Sequence, residues 1–166
     1  EVVRLTANYT DGEDLFQAAT ARGLEGIVAK KKESLYLEGK KTADWLKIKA
    51  SRFQDCLLGG YILKRGRVSS LLVGAYLEKK FLYLGRVSSG MRESDLSALH
   101  RYLYPHKYSK PLFTNPPALS GEQRAVWLKP TLGVKVEYAE WTPGLKLRSP
   151  RVAGFLPYGK GEWRIK

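Results

Sequence analysis

Hydrophobic positions along the chain change their period several times, and each change predicts an element. Residues 1–5, "EVVRL", read as a strand, and a chain that opens on Glu1 rather than Met suggests an excerpt of a longer protein. Thr10 and Glu13 stand three apart ahead of "LFQAATARG", the spacing of a reciprocal capping box, and predict a helix over residues 13–22. Leu15, Phe16 and Ala19 give that helix one apolar side, and Gly23 is placed to stop it in a left-handed conformation. The run "GIVA" is short and β-branched, which predicts a buried strand starting directly after Glu25. Residues 31–44 are polar, contain Gly39 and form a basic connection. "DWLKIKA" then alternates, setting Trp45, Lys47 and Lys49 on one face of a strand and Leu46 and Ile48 on the other.

From Phe53 the texture changes. "CLLGGYIL", "SSLLVGAYL" and "KFLYLGRV" are separated by the turn signals "KRGR" and "EKK", the pattern of an antiparallel meander. Leu96, Leu99 and Leu103 recur at helical spacing and predict a helix over residues 93–104, ended by Pro105; its cap is not evident. Residues 106–125 read as a long Pro-rich loop, and loops of that length inside compact domains are usually functional. "VKVEYAEW" alternates again, with Val134, Val136 and Tyr138 inward and Lys135 and Glu137 outward. "TPG" turns it into "LKLRSPRV", and the tail "PYGKGEWRIK" has no clear period. The pattern predicts the end of an α+β unit over residues 1–51. An all-β, OB-type five-stranded barrel with one inserted helix follows over residues 52–166.

Composition narrows the class. With 43% apolar residues the chain can offset its ordering entropy and fold. Against 16 Asp+Glu stand 29 Lys+Arg, a formal charge of +13, which attracts polyanions and makes nucleic acid the leading partner class. No apolar run reaches the roughly 18 to 20 residues that cross a bilayer, and no signal-peptide pattern is present. No membrane association is therefore expected, and a cytoplasmic setting is. The single cysteine, Cys56, excludes an internal disulfide or a zinc cluster and reads as a small core residue.

Few residues are left to carry chemistry. His100 and His106 read as surface or packing residues, and neither a Walker loop nor a GxGxxG follows a strand. What remains is Glu25 before one strand, Lys30 at its far end, and the Trp45, Lys47, Lys49 stripe. Two lysines two apart on a strand point the same way, roughly 7 Å apart, so both can approach one phosphate group. A nearby carboxylate is a hard oxygen ligand suited to Mg²⁺. Periodicity alone leaves a second reading open, in which Lys47 and Lys49 are the solvated face of an edge strand.

"EGIVAK" followed by "WLKIK" resembles nucleotidyltransferase motifs IV and V of the ATP-dependent DNA ligases. "ESLYLEGKKTADWLKIK" is similar to the bacterial ligases of non-homologous end joining, which are often fused to polymerase or nuclease domains. "VWLKPTLGVKVEYAEWTPGLKLRSPR" resembles the end of their OB domain running into motif VI, so the likeness covers residues 4–154 in the family's order. It implies that residues 1–51 are the C-terminal portion of the adenylation domain and 52–166 the OB domain. It further implies ATP and Mg²⁺ (or Mn²⁺) as cofactors, Glu25 as a metal ligand, and Lys47 and Lys49 as catalytic contacts to the adenylate α-phosphate. Lys30 would lie close to the nucleotide, and Arg148 and Arg151 would orient the pyrophosphate of ATP; plain contact with backbone phosphate is the other reading of these two arginines. The implied partners are nicked or broken double-stranded DNA and a Ku-like end-binding protein, and the implied location is the bacterial nucleoid. The family's adenylated lysine lies in a KxDG motif upstream of motif IV, and no KxDG occurs in residues 1–166. This stretch alone is therefore expected not to self-adenylate. The segment "FLPYGKGEW" also departs from the family's Arg-Asp-Asp-Lys-like residues, which leaves Lys160 without an assigned role. Two other classes share parts of this pattern. One is a noncatalytic OB-type module stacking bases on Tyr61, Tyr76, Phe81 and Tyr83. The other is an RNA ligase or capping nucleotidyltransferase.

Overall fold

A computed structural model describes residues 7–158 and 163–165. The expected opening strand over residues 1–5 and Lys160 lie outside the described residues. The chain divides into two compact units, Glu1–Ala50 and Ser51–Lys166.

In the first unit, helix α1 (Gly12–Ala21) starts at Asp11, whose carboxylate accepts from the amides of Glu13 at 3.0 Å and Asp14 at 3.1 Å. Asp11 therefore caps the helix, not the Thr10–Glu13 box the spacing suggested: the Asp11 backbone is extended (φ −90°, ψ 104°), which makes it the last residue before the helical turn and aims its carboxylate at the free first-turn donors. At the other end Gly23 (φ 72°) sits in the left-handed region, its amide donating to Thr20 O and the amide of Leu24 to Ala19 O, the paired bonds of a Schellman stop. Strands β1 (Gly26–Lys30) and β2 (Trp45–Lys49) form an antiparallel two-stranded ribbon, with Lys30 opposite Trp45, Val28 opposite Lys47 and Gly26 opposite Lys49. Within these residues the expected buried strand is only partly covered. Val28 is 46% exposed, and across the ribbon Leu46 and Ile48 are 59% and 43% exposed. Alternation decides which residues share a face, but a cover for that face needs another layer of structure.

The second unit is sheet-rich and OB-like. Strands β3 (Arg52–Lys64), β4 (Arg67–Leu77) and β5 (Lys80–Val87) form the expected meander. Arg65 (φ 51°) and Gly66 (φ 76°) make the two-residue β3–β4 turn, both left-handed as the twist of a tight hairpin requires. β3 is long enough to serve two neighbours on its other edge. Residues 52–57 pair with β8 (Leu132–Tyr138) and residues 60–64 with β7 (Gln123–Leu128). β9 (Arg151–Pro157) pairs with β8, and its start bridges Ser89 in parallel, the Val152 amide donating to Ser89 O at 3.0 Å. The sheet thus curls back towards the end of β5. Helix α2 (Glu93–Leu103) is inserted after β5, and its start is tied by the Arg92 amide donating to the Asp95 carboxylate.

Two details extend the five-stranded expectation. The stretch read as a Pro-rich loop contains β6 (Lys107–Tyr108) and enters β7, which pair with each other. It also supplies Phe113, whose ring stacks on Phe81 at 4.8 Å and lies against Gly59, where a Cβ would come within 2.3 Å of that ring. "LKLRSPRV" begins as a turn, not a strand, and the ladder resumes only at Arg151. The core is made by Leu58, Leu71, Val73, Leu84, Val134 and Val136 on one side of the sheet and Leu57, Ile62, Leu72 and Phe113 on the other. Cys56 is fully buried in it. Among the described residues no helix is long and apolar enough to cross a membrane.

Candidate functional site

The β1–β2 ribbon brings the candidate lysines together. Directly opposed residues of an antiparallel pair share a face, so Lys30, Trp45, Val28, Lys47, Gly26 and Lys49 all lie on one side. Lys30 joins the lysine stripe through the ladder, which its distance in sequence from Lys47 does not reveal. At the near end of the row the Glu25 carboxylate lies 3.2 Å from Lys49 Nζ, both side chains largely exposed. The backbone adds a second tie, the Ala50 amide donating to Glu25 O at 2.8 Å. Gly26 makes this approach possible. Its φ is 143°, and a Cβ there would come within 2.1 Å of Ile48 O.

Glu25, Gly26, Ile27, Val28, Lys47, Ile48 and Lys49 line a shallow depression of about 190 Å³. Its charged groups are one carboxylate and two ammonium groups, a set that suits an anion larger than a single carboxylate. At the far end of the row Lys30 Nζ lies over the Trp45 ring, 4.1 Å from its centroid. The indole N–H donates to Ser34 Oγ at 2.9 Å, and the Tyr36 ring packs 5.6 Å away. The sequence placed Trp45 on this face, but the contacts of Ser34, Tyr36 and Lys30 with it depend on how residues 31–44 fold back.

For a divalent cation the donor chemistry is limited. No cluster of three or more His, Cys, Asp or Glu occurs among the described residues. Glu25 offers a single exposed carboxylate, which fits Mg²⁺ whose shell is completed by water and nucleotide phosphate, and does not fit an all-protein cage.

Arg148 and Arg151 belong to the second unit. Arg148 lies on a turn returning from β8, where its amide donates to Glu140 O at 3.0 Å and its guanidinium pairs with the Glu140 carboxylate. Arg151 begins β9, opposite Glu137, and is exposed. The same unit has a larger groove of about 510 Å³ between α2 and β9, lined by Met91, Leu99, Tyr102 and Phe155, with Asp95 its charged group. That lining offers no cation for phosphate.

The aromatics considered for base stacking are mostly core. Tyr61, Phe81 and Tyr83 are 1%, 4% and 9% exposed. Burial, with Tyr104 adding to it, pushes the Tyr61 phenol up to about 12. Its hydroxyl meets His100 Nδ1 at 2.9 Å, which makes His100 a packing residue. Lys146 Nζ donates to Tyr83 O and lies 4.5 Å from the Tyr83 ring centroid, and burial lowers its ammonium below the usual lysine range.

The two motifs of the ribbon and the sheet that follows correspond to known families. Residues 2–49 match the ATP dependent DNA ligase domain, and residues 64–156 match the ATP dependent DNA ligase C terminal region. The chain belongs to the ATP-dependent DNA ligase family. It is 32% identical over 151 residues to the multifunctional non-homologous end joining DNA repair protein LigD of Mycobacterium tuberculosis, covering 89% of this chain and 20% of that protein. With LigD of Pseudomonas aeruginosa it is 33% identical over 142 residues, 81% of this chain and 16% of that one. Among solved structures, a mycobacterial DNA ligase D complexed with ATP and MES superposes with a TM-score of 0.60 at 31% identity, over 94% of this chain and 51% of that one. The ligase domain of M. tuberculosis LigD gives the same TM-score at 32% identity, over 89% and 49%. The chain thus spans about a fifth of the length of these curated relatives and about half of the solved ligase chains.

Proposed function

We propose that this chain is the C-terminal part of a bacterial DNA ligase of the non-homologous end-joining type. The unit Glu1–Ala50 serves as the last section of its adenylation domain and Ser51–Lys166 as its OB domain. The observation that carries the reading is the row of Lys30, Lys47 and Lys49 on one face of the ribbon with Glu25 at its end. The parent reaction seals breaks in duplex DNA through a lysine–AMP and then a DNA-adenylate, using ATP. Phosphoryl transfer is governed mostly by positioning and charge neutralisation, and fixed lysines supply both.

In this reading Lys47 and Lys49 bind the α-phosphate and neutralise the charge that grows on it as the bond to pyrophosphate weakens. Lys30 holds nucleotide phosphate at the far end of the row. Glu25 would hold Mg²⁺, which would supply further charge neutralisation. The same carboxylate pairs with Lys49 and competes with phosphate for that ammonium. Arg148 and Arg151 orient the pyrophosphate. Arg148 must leave Glu140 to do so, which for an exposed pair costs at most about 1 kcal/mol. The remaining positive charge grips the DNA backbone, where phosphate neutralisation dominates nonspecific affinity. Fused polymerase or nuclease domains, a Ku-like partner and a place in the bacterial nucleoid complete the proposal.

The test is a mass measurement on the native enzyme that contains these residues. Incubation with ATP and Mg²⁺ should add one AMP, and nicked DNA should remove it. Residues 1–166 alone, which contain no KxDG, should gain no AMP yet bind DNA with an affinity that falls steeply as salt rises. A flat salt response would refute the electrostatic part, and a native enzyme that never carries AMP would refute the ligase reading.

A further inference from the structure

The two ends of the lysine row are held by different devices. Lys49 is held by a carboxylate, Glu25, at 3.2 Å. Among the described residues Lys30 has no carboxylate partner; its ammonium lies 4.1 Å from the centroid of the Trp45 ring, directly across the ladder. The chemical consequences differ. A carboxylate offsets the charge of an ammonium and takes up one of its three N–H donors, so it competes with an incoming phosphate. An indole face attracts the ammonium through its quadrupole but accepts no proton and carries no net charge, which leaves the N–H donors on the outer side open to an anion.

The indole is itself fixed. Its N–H donates to Ser34 Oγ at 2.9 Å, and the Ser34 hydroxyl donates onward to Lys31 O at 2.7 Å. The connection that carries Ser34 is closed by the Lys31 amide donating to Asp44 O at 2.9 Å, next to Trp45. Tyr36, 73% exposed, packs its ring 5.6 Å from the indole. A half-buried indole on a two-stranded ribbon would otherwise sample several rotamers and take Lys30 with it.

We infer that Trp45, locked by Ser34, is a positioning residue that holds the Lys30 ammonium on the phosphate-binding face without consuming its donors. The inference rests on the reading of that face as the nucleotide-phosphate site, and it assigns to residues 31–44 a role beyond connecting the two strands. Trp45 touches neither phosphate nor metal; it acts through Lys30.

The test uses the native ligase chain that contains these residues, with ATP as the probe. Trp45→Leu should raise the KM for ATP in the adenylation step by about two- to fivefold, the range an exposed cation–π contact supplies, and Lys30→Ala, which also removes the phosphate contact, by at least as much, with kcat changed less in both. The double variant should be no worse than Lys30→Ala, because Trp45 acts only through Lys30. Trp45→Phe, which keeps a ring under Lys30, should recover most of the loss, and Ser34→Ala should give a smaller one. NMR of the Lys30 side chain should show its Hε protons shifted upfield by the indole, a shift lost in Trp45→Leu and retained in part in Trp45→Phe. If Trp45→Leu does not fold, Trp45→Phe, Ser34→Ala and the Lys30 shift still decide. Effects of Lys30→Ala and Trp45→Leu that multiply, or a Lys30 signal without a ring-current shift, overturn the inference. Lys30→Ala with an unchanged KM, alongside Lys47→Ala that abolishes adenylation, sinks the inference and leaves the proposed function standing. Lys47→Ala with normal adenylation sinks the proposed function itself.

Discussion

Strands β3 and β4 leave Leu57, Leu58, Ile62, Leu71, Leu72 and Val73 at most 1% exposed, whereas β1 and β2 leave Val28, Leu46 and Ile48 at least 43% exposed. Both pairs are antiparallel and both carry apolar residues through their length. They differ in neighbours: β3 pairs with β4, β7 and β8, while among the described residues β1 pairs with β2 alone. A curled sheet covers its own faces, and a two-stranded ribbon covers neither. Stability and candidate chemistry are therefore separated. The sheet holds its side chains in place by burial, and the ribbon keeps a row of lysines in reach of solvent and so of an anion.

Truncating the two systems should give opposite results. Leu58→Ala removes a buried side chain from the sheet and should cost about 2–5 kcal/mol in denaturant unfolding. Leu46→Ala, on the ribbon, should stay within about 0.5 kcal/mol; equal losses would erase the distinction. Amide exchange should sharpen it, with β3 and β4 exchanging on the order of a hundredfold more slowly than β1 and β2. Equal protection would mean that the ribbon is covered by packing equal to that of the sheet. The first unit relies on local chemistry as well, so Asp11→Ala should cost about 1 kcal/mol of α1 stability, read as loss of helical signal.

The smallest effect concerns pH. Burial holds the Cys56 thiol well above its ordinary 9.0 and the Tyr61 phenol up at about 12 from 10.0. Both native values are raised, so the neutral forms are favoured by folding. Their contribution is complete below pH 9 and declines as pH rises, the tyrosine part between pH 10 and 12. Tyr61→Phe should flatten that last portion in unfolding measured at stepped pH.

How much of this the sequence disclosed depended on whether a feature is local. "KFLYLGRV" became β5 over the same residues, and Gly23 stopped α1 as expected, because turn chemistry and apolar runs act over a few positions. Asp11 was missed in favour of Thr10 because two neighbouring capping residues offer nearly the same spacing, and only the backbone angle decides between them. β7 was hidden because "QRAVWL" is a short run behind two prolines, and its stability comes from pairing with β3, far away in sequence. At the site, Lys47 and Lys49 were legible from period two, since their common face is built into the strand. The junction of Lys30 with that row was not: it depends on which residue of β1 faces Trp45, a register set by the fold of residues 31–44.

If the ribbon lysines neutralise nucleotide phosphate, the rate of AMP attachment in the native enzyme depends on them. Lys47→Ala should slow that single-turnover step by about a hundred- to a thousandfold, the usual effect of removing one fixed donor from a developing anion. Lys64→Ala, at the end of β3, should leave it within about twofold by the same reasoning, since it lies outside the row. Equal rates for the two variants would contradict the claim.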